Sequence, residues 1–534
     1  MSSDFISPGR KIWITGHELR LQGNFELAID LLNDILSSPA AHDTLLKVDT
    51  LNELVICNRA LHAYDQSMDY SLEALELAKS IDYKLGMANA LLNLGALAHL
   101  SYSLSEAKDF FRQSLYVFEV ELKDTLGIAK VLLHLSIVSR DESMLEKAEG
   151  DLYTAYKLIE KEYSDPEYRY VLVRILNHLG NTKLLDLNFI DGIKLFKESL
   201  TLSENTKDES KKPMILRNLA LCYLILDHNE EFINLITESI LISNQRKQTN
   251  EAYLSKIYLL VNAFKNSQNE EFNETLEELQ NFSGSKYTNN IFLIFFITGL
   301  QKIENQEKSI TETLSGMEDY YRANNHSIKH NKNLILLEIE FIRVLADQIV
   351  AQQGGYSFGL SRKFEKLIRT ARGHKEERIY LIAYVFLLDL LIPKIRTSTG
   401  INDENNDQVM KLLRQIKNDT SNALFMQLFI ILDVLTTIFY TMDFSENIAK
   451  LVKVKKYFAQ RKMSELELRV FRLENDLSEK LAKLTEITEQ NNIDTIKNTV
   501  FTFQQQIREQ LSNYMRFYRF KILEVLFLLY DITN

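Results

Sequence analysis

The amino-acid sequence predicts an all-α chain, an α-solenoid of stacked helical hairpins. Three observations predict it: a scarcity of helix breakers, an in-phase repeat with helical spacing inside it, and a C-terminal quarter without Gly or Pro. The 534 residues include only 17 Gly and 5 Pro, while 46% are apolar. Ordinary usage is about 7% Gly and about 5% Pro, so collagen-like, linker-rich and turn-dense β architectures are excluded. The apolar share is large enough for burial to offset the ordering of the chain. At this length a single compact core gives way to several domains or to an elongated stack.

The repeat favours the stack. Residues 91–115, LLNLGALAHLSYSLSEAKDFFRQSL, read as two helices meeting near Ser101 to Leu104. Leu91, Leu94, Gly95 and Ala98 share one face, and Ala107, Phe111 and Ser114 share another, which is helical i, i+3, i+4, i+7 spacing. The same template recovers Gly16, Ala28, Leu32 and Ile35, then a weaker unit with Leu54, Tyr64, Ser67 and Ala74. Three more units follow: Leu135, Ala148, Leu152 and Ala155; Leu179, Gly180, Gly192, Phe196 and Ser199; Leu219, Ala220, Phe232, Ile236 and Ser239. The equivalent second-helix position falls at 28, 67, 107, 148, 192 and 232, in steps of 39, 40, 41, 44 and 40. Small residues let paired helices touch while Leu or Phe fills the space beside them. Such a hairpin leaves an apolar face that only the next hairpin can cover.

These units resemble the tetratricopeptide repeat (TPR) family in its long-period variety, over residues 10–245, with a fainter hairpin around Phe272. Departures are Ser67 and Phe232 at the small position, and Val55 and Ser136 in place of Gly. The resemblance implies a right-handed superhelix whose first helices line a concave groove, with a protein or peptide partner and no cofactor. The expected organisation is a solenoid of six to seven repeats over 1–285, degenerate TPR-like hairpins over 286–462, and a coiled coil with a terminal amphipathic helix over 463–534.

In that last segment Met463, Leu466, Val470, Leu473, Leu477, Lys480, Leu484 and Ile487 alternate at three- and four-residue steps. This is the seam of a coiled coil that pairs two copies into a homodimer, or of a terminal helix that folds back on the stack; both remain open. The final helix ends in KILEVLFLLYDI, apolar on more than one side, and must bury itself.

The chemistry-bearing motifs of enzymes are missing. There is no GxxxxGK[ST] loop, HExxH, GxSxG elbow or kinase signature, so the expected function is non-enzymatic. Cys57 and Cys222 stand apart, too few for a disulfide framework or a zinc site. His326 and His330 are four apart but lack a third ligand, so no metal is expected. The glycines from Gly354 to Gly359 read as a helix break. No export signal is visible at the N-terminus, and with so few thiols a cytoplasmic location is expected. The apolar window Phe425 to Met442 carries Gln427 and Asp433 and reads as a buried helix, which argues against membrane spanning. With 62 Lys+Arg against 73 Asp+Glu, net −11, nucleic acid is not the expected partner. Basic runs over 362–378 and 450–462 read as solvated helix faces.

The informative surface is the groove. Positions 2, 5, 6 and 9 of each first helix form one inward stripe by the 3.6-residue arithmetic. In repeats three to six they hold no Asp or Glu and are rich in amides and bases: Asn89, Asn93, Lys130, His134, Arg174, Asn177, His178, Asn181, Arg217 and Asn218. Amides both donate to and accept from a peptide backbone, and Arg and Lys bind carboxylates. The leading expectation is an adaptor or scaffold holding a peptide or helix in this groove. The alternative is a peptide- or ligand-sensing regulator that signals to a partner through its C-terminal helices.

Overall fold

The structure, a computed structural model, describes residues 7–101, 103–142, 144–162, 164–204, 211–246, 248–281, 288–305, 307, 309–324, 332–354, 359–374, 377–391, 404–419, 423–489 and 493–533. All regular elements among them are helical. The chain forms two compact units: unit 1 comprises residues 1–222, 233–252 and 532–534, and unit 2 comprises residues 223–232 and 253–531.

Helices come in pairs. The pairs are α1 (Pro8–Leu21) with α2 (Phe25–Ser37), α3 (Thr44–Ala60) with α4 (Tyr64–Ser80), and α5 (Lys84–Leu100) with α6 (Leu104–Tyr116). They continue as α7 (Thr125–Asp141) with α8 (Leu145–Ile159), α9 (Pro166–Leu185) with α10 (Phe189–Glu204), α11 (Lys212–Ile225) with α12 (Asn229–Gln245), and α13 (Thr249–Lys265) with α14 (Asn269–Gln280). One turn closes every pair. A backbone N–H reaches back five residues to a carbonyl of the first helix: Asn24 to Leu19, Ala63 to Asn58, Ser103 to Ala98, Met144 to Ser139, Asn188 to Lys183, His228 to Tyr223 and Gln268 to Ala263, all at 2.8–2.9 Å. This is the left-handed helix cap, which satisfies carbonyls that a helix end would leave orphaned. Gly23, His62, Leu187, Asp227 and Ser267 supply its positive φ. Each donor lies four residues before the second-helix position read from the sequence, so the same steps recur in backbone geometry. They extend to a seventh hairpin at Phe272.

The small residues act by close approach. A Cβ on Gly95 would lie 2.5 Å from the Phe111 ring, and one on Gly180 would lie 2.5 Å from Phe196; both rings are fully buried. The glycine and the ring are sixteen residues apart in each case, so one hairpin geometry serves both repeats. A serine lock is repeated in the same way: the hydroxyls of Ser114, Ser199 and Ser239 donate to the carbonyls of Ala88, Val173 and Pro213, each at 2.8 Å. Ser199→Ala should therefore cost about 1 kcal/mol, measured as a lower urea midpoint.

In unit 2 the hairpin pattern persists in α15 (Thr288–Glu304), α16 (Ile310–Asn324), α17 (Lys332–Gly354), α18 (Leu360–Gly373), α19 (Glu377–Leu391), α20 (Glu404–Asp419), α21 (Ala423–Thr441) and α22 (Ser445–Gln460). An aromatic cluster joins these hairpins: Phe341 meets Phe296, Phe364 and Phe386 at 5.6, 6.4 and 5.4 Å. Helix α21 is the apolar window singled out in the sequence, and it buries Leu428, Phe429, Leu432, Val434, Leu435 and Phe439. No helix among the described residues is long and apolar enough to cross a membrane.

The seam lies on α23 (Ser464–Glu489), followed by α24 (Ile493–Thr533). Met463, Leu466, Val470, Leu473, Leu477 and Lys480 are buried within the chain. Helix α24 covers part of this face: Phe503, Ile507 and Leu511 are buried, Gln510 bonds Asp476 at 2.6 Å, and the Tyr514 hydroxyl donates to the Arg469 carbonyl at 3.0 Å. This is the fold-back arrangement. Leu484 and Ile487, further along, are partly exposed. The histidine pair His326 and His330 lies outside the described residues, as do the side chains of the terminal KILEVLFLLYDI segment.

Candidate functional site

The first helices of unit 1, α1, α3, α5, α7 and α9, turn one face inward around a cavity of about 1330 Å³. Its rim is completed by Lys211, Met214, Gln245, Arg246, Gln248, Thr249 and Glu251. The first hairpin reaches across to later repeats. His17 Nε2 and Arg20 Nη2 lie 3.9 and 3.8 Å from the Glu167 carboxylate on α9, and Arg246 Nη1 donates to the Gln22 carbonyl at 3.2 Å. The hairpins of unit 1 therefore close on themselves and enclose the site.

Five residues of the expected stripe line this cavity: Asn89, Asn93, Lys130, His134 and Arg174. The other five are used inside the wall. Asn177 and Asn218 are buried and bonded to each other, Asn218 Nδ2 donating to Asn177 Oδ1 at 3.0 Å. Arg217 pairs with Glu251 at 2.5 Å, His178 Nδ1 faces Arg140 Nη1 at 3.3 Å, and Asn181 is buried. Asn93 has a double role. It lines the cavity and donates to the Asn52 carbonyl and side-chain oxygen at 3.3 and 3.2 Å. Asn52–Asn93 and Asn177–Asn218 are the same 41-residue contact between successive first helices, so these amides set the spacing of repeats.

The cavity also uses residues that the stripe of repeats three to six omits. The inward positions of repeats one and two supply Arg10, Trp13, His17, Asp49, Asn52, Glu53 and Ile56. One turn further along the same face, repeats one to four carry Arg20, Arg59, His99 and Arg140 at equivalent positions, three arginines and a histidine. Helix α9 starts earlier than the template, capped by Asp165 with Pro166 at its first turn, and this extra length brings Glu167 and Tyr170 to the cavity.

Most charges are paired. Arg10 meets Asp49 at 2.5 Å, and the Tyr83 hydroxyl donates to the same carboxylate at 2.8 Å. Lys130 bonds Glu167 at 2.6 Å. Arg20 Nε donates to Glu53, with His17 Nδ1 at 3.1 Å from the other oxygen. Burial alone would raise the Glu53 pKa, but Arg20 and then His17 outweigh it and bring the carboxyl down to about 2. Burial, then Arg174 and Arg59, hold His134 well below the usual imidazole range; burial, Arg140 and Arg174 do the same to His178. Both rings are neutral at physiological pH. The thiols of Cys57 and Cys222 are buried, which pushes Cys57 up to about 12 and Cys222 beyond the usual range, so neither is a nucleophile. Among the described residues no group of His, Cys, Asp or Glu is arranged to hold a metal ion.

Hairpins in this register, with a small residue against a ring and first helices around a cavity, define a tetratricopeptide-type α-solenoid. No family model matches the chain, and no curated protein sequence matches it. Solved structures resemble it at low identity. The apo form of the quorum sensor NprR from B. thuringiensis is 13% identical with a TM-score of 0.40, covering 75% of this chain and 99% of that one. A Rap protein complexed with competence and sporulation factor is 12% identical with a TM-score of 0.42, covering 74% and 98%. NprR in complex with its cognate peptide NprX is 16% identical with a TM-score of 0.40, covering 55% and 83%.

Proposed function

We propose that this chain is a non-catalytic binding protein whose unit 1 encloses a short peptide or an extended segment of a partner protein. The observation that carries this reading is the cavity itself. At about 1330 Å³ it exceeds the roughly 300–1,000 Å³ of sites for small molecules. Its wall also offers side-chain donors and acceptors of the kind that a peptide backbone can pair with. Asn89 and Asn93 from α5 supply amides, and Ile56, Leu92 and Met214 supply apolar contact.

The test is selection from a random peptide library, followed by titration of the selected peptide against wild type and Asn89→Ala/Met214→Ala. The expected loss is about tenfold or more in Kd, the size that anchoring contacts carry. Equal affinity for both proteins would remove the cavity from the account.

The enclosure favours a regulatory variant of the same reading. The contacts from α1 to Glu167 and from Arg246 to Gln22 span the cavity, so an occupant that displaces them alters the curvature of unit 1. Occupancy can then be passed on as shape, the sensing mode, as well as simple tethering. Small-angle scattering with and without the selected peptide separates the two: a change in radius of gyration supports sensing, and identical curves support an adaptor.

A further inference from the structure

One part of the cavity wall carries cations without counter-ions. Arg59, Arg174 and Lys211 all line it, and among the described residues none of the three has a carboxylate partner. The guanidinium of Arg174 and the ammonium of Lys211 both sit over the ring of Tyr170, at 5.9 and 6.0 Å from its centroid. Arg59 Nη1 is buried with no hydrogen-bond acceptor. Burial, and then the charge of Arg174, hold the Arg59 guanidinium down to about 10. The neighbouring imidazoles His134 and His178 stay neutral in the same field.

The contrast with the rest of the molecule is the argument. Elsewhere along this wall Arg10 has Asp49, Arg20 has Glu53 and Lys130 has Glu167, while Arg246 donates to the Gln22 carbonyl. On α18, where Arg362, Lys363, Lys366 and Arg369 cluster, the side chains are exposed and water solvates the charge at little cost. Arg59 Nη1 has neither solution. A buried donor without an acceptor costs about 1–3 kcal/mol, and the face of one tyrosine offsets only part of the repulsion between the cations. An oxyanion placed among them would accept the free guanidinium N–H groups and neutralise the repulsion together, with the planar geometry that arginine forks favour.

We infer that Arg59, together with Arg174 and Lys211 over the Tyr170 ring, forms a subsite for an oxyanion, a carboxylate or phosphoryl group, carried by the occupant of the cavity. The inference rests on the binding role proposed above for the cavity, and it gives that occupant a chemical polarity. Its acidic group lies against α3, α9 and the start of α11, with the paired Arg20 of α1 on the same Tyr170 ring at 5.9 Å.

The test uses the full chain and three probes at constant ionic strength: inorganic phosphate, acetyl-triglycine with a free carboxylate, and its C-terminal amide. Thermal unfolding is followed for wild type, Arg59→Gln/Arg174→Gln, Lys211→Gln, and Arg362→Gln/Arg369→Gln as a control on α18. Phosphate, acetyl-triglycine or both should raise the Tm of wild type and of the control, the responsive probe identifying the group. The amide should be silent, and both cavity variants should lose the rise. Without probes the double cavity variant should melt no lower than wild type, because it relieves a repulsion. The inference is overturned if neither anion acts on wild type, if the cavity variants keep the response, or if the unliganded double variant is destabilised while Lys211→Gln still responds. A selected peptide that binds normally while all anions are silent would sink this subsite alone. Anion responses without any peptide binder would sink the peptide reading and leave the subsite.

Discussion

Glu53→Gln is expected to destabilise the first hairpins of unit 1 by about 3–5 kcal/mol, the usual cost of leaving one member of a buried ion pair uncompensated. Glu53 is 8% exposed and Arg20 is 5% exposed, so water cannot replace the lost carboxylate. The same carboxylate holds His17, and Arg20 in turn lies against Glu167 and the Tyr170 ring. The substitution thus loosens the bridge across the cavity as well as one pair. Trp13 is the sole tryptophan and stacks on His17 at 5.1 Å, so its fluorescence reports this region during urea unfolding. A local probe is the right one, since stacked repeats need not unfold in one step. An apolar pair, Arg20→Met/Glu53→Leu, should recover most of the loss. The pH dependence follows the same pair. The Glu53 carboxyl is depressed to about 2, so its contribution is complete above the ordinary carboxylate value of about 4.3. It is lost as pH falls from there through about 2. Glu53→Gln should lack this acid-dependent step in Trp13 fluorescence. An unchanged urea midpoint in Glu53→Gln would show that the pair does not hold the closure.

Phe111→Ala should cost about 3–5 kcal/mol, the range for truncating a fully buried aromatic side chain. The ring fills the space that Gly95 leaves open and stacks on His134 of the next first helix at 5.4 Å. It therefore joins two hairpins and supports a cavity residue from behind. Far-UV circular dichroism on heating should show an earlier transition, and the selected peptide should bind less tightly because His134 loses its support. Phe501 is 52% exposed, and Phe501→Ala should stay within about 0.5 kcal/mol of wild type. Equal effects of the two substitutions would contradict the packing scheme.

The repeat was legible because its cause is local. A turn that returns an N–H to the carbonyl five residues back, followed four residues later by a close helix contact, writes its period directly into the sequence. Asn177, Asn218 and Arg217 were legible as inward polar positions but not as wall bonds, because an amide that faces a ligand and an amide that faces the next helix occupy the same register. Arg59 and Arg20 lie one turn beyond the stripe, in a row of three arginines and a histidine that the 2, 5, 6, 9 register leaves out. Glu167 and Tyr170 depend on where α9 starts, and helix boundaries are poorly marked by periodicity. The meeting of α1 with α9 links residues about 150 positions apart, and a contact of that separation leaves no periodic trace. The seam from Met463 to Leu477 was legible as buried, but the helix that covers part of it, α24, was not, since alternating three- and four-residue steps serve a fold-back helix and a second copy alike.

Hydrogen exchange of the full chain with and without a library-selected peptide tests the central claim, an occupant enclosed by the first helices of unit 1. Protection concentrated in α1, α3, α5, α7 and α9, with the second helices little changed, is the predicted result. Protection confined to α2, α4, α6, α8 and α10, or to unit 2, would contradict it.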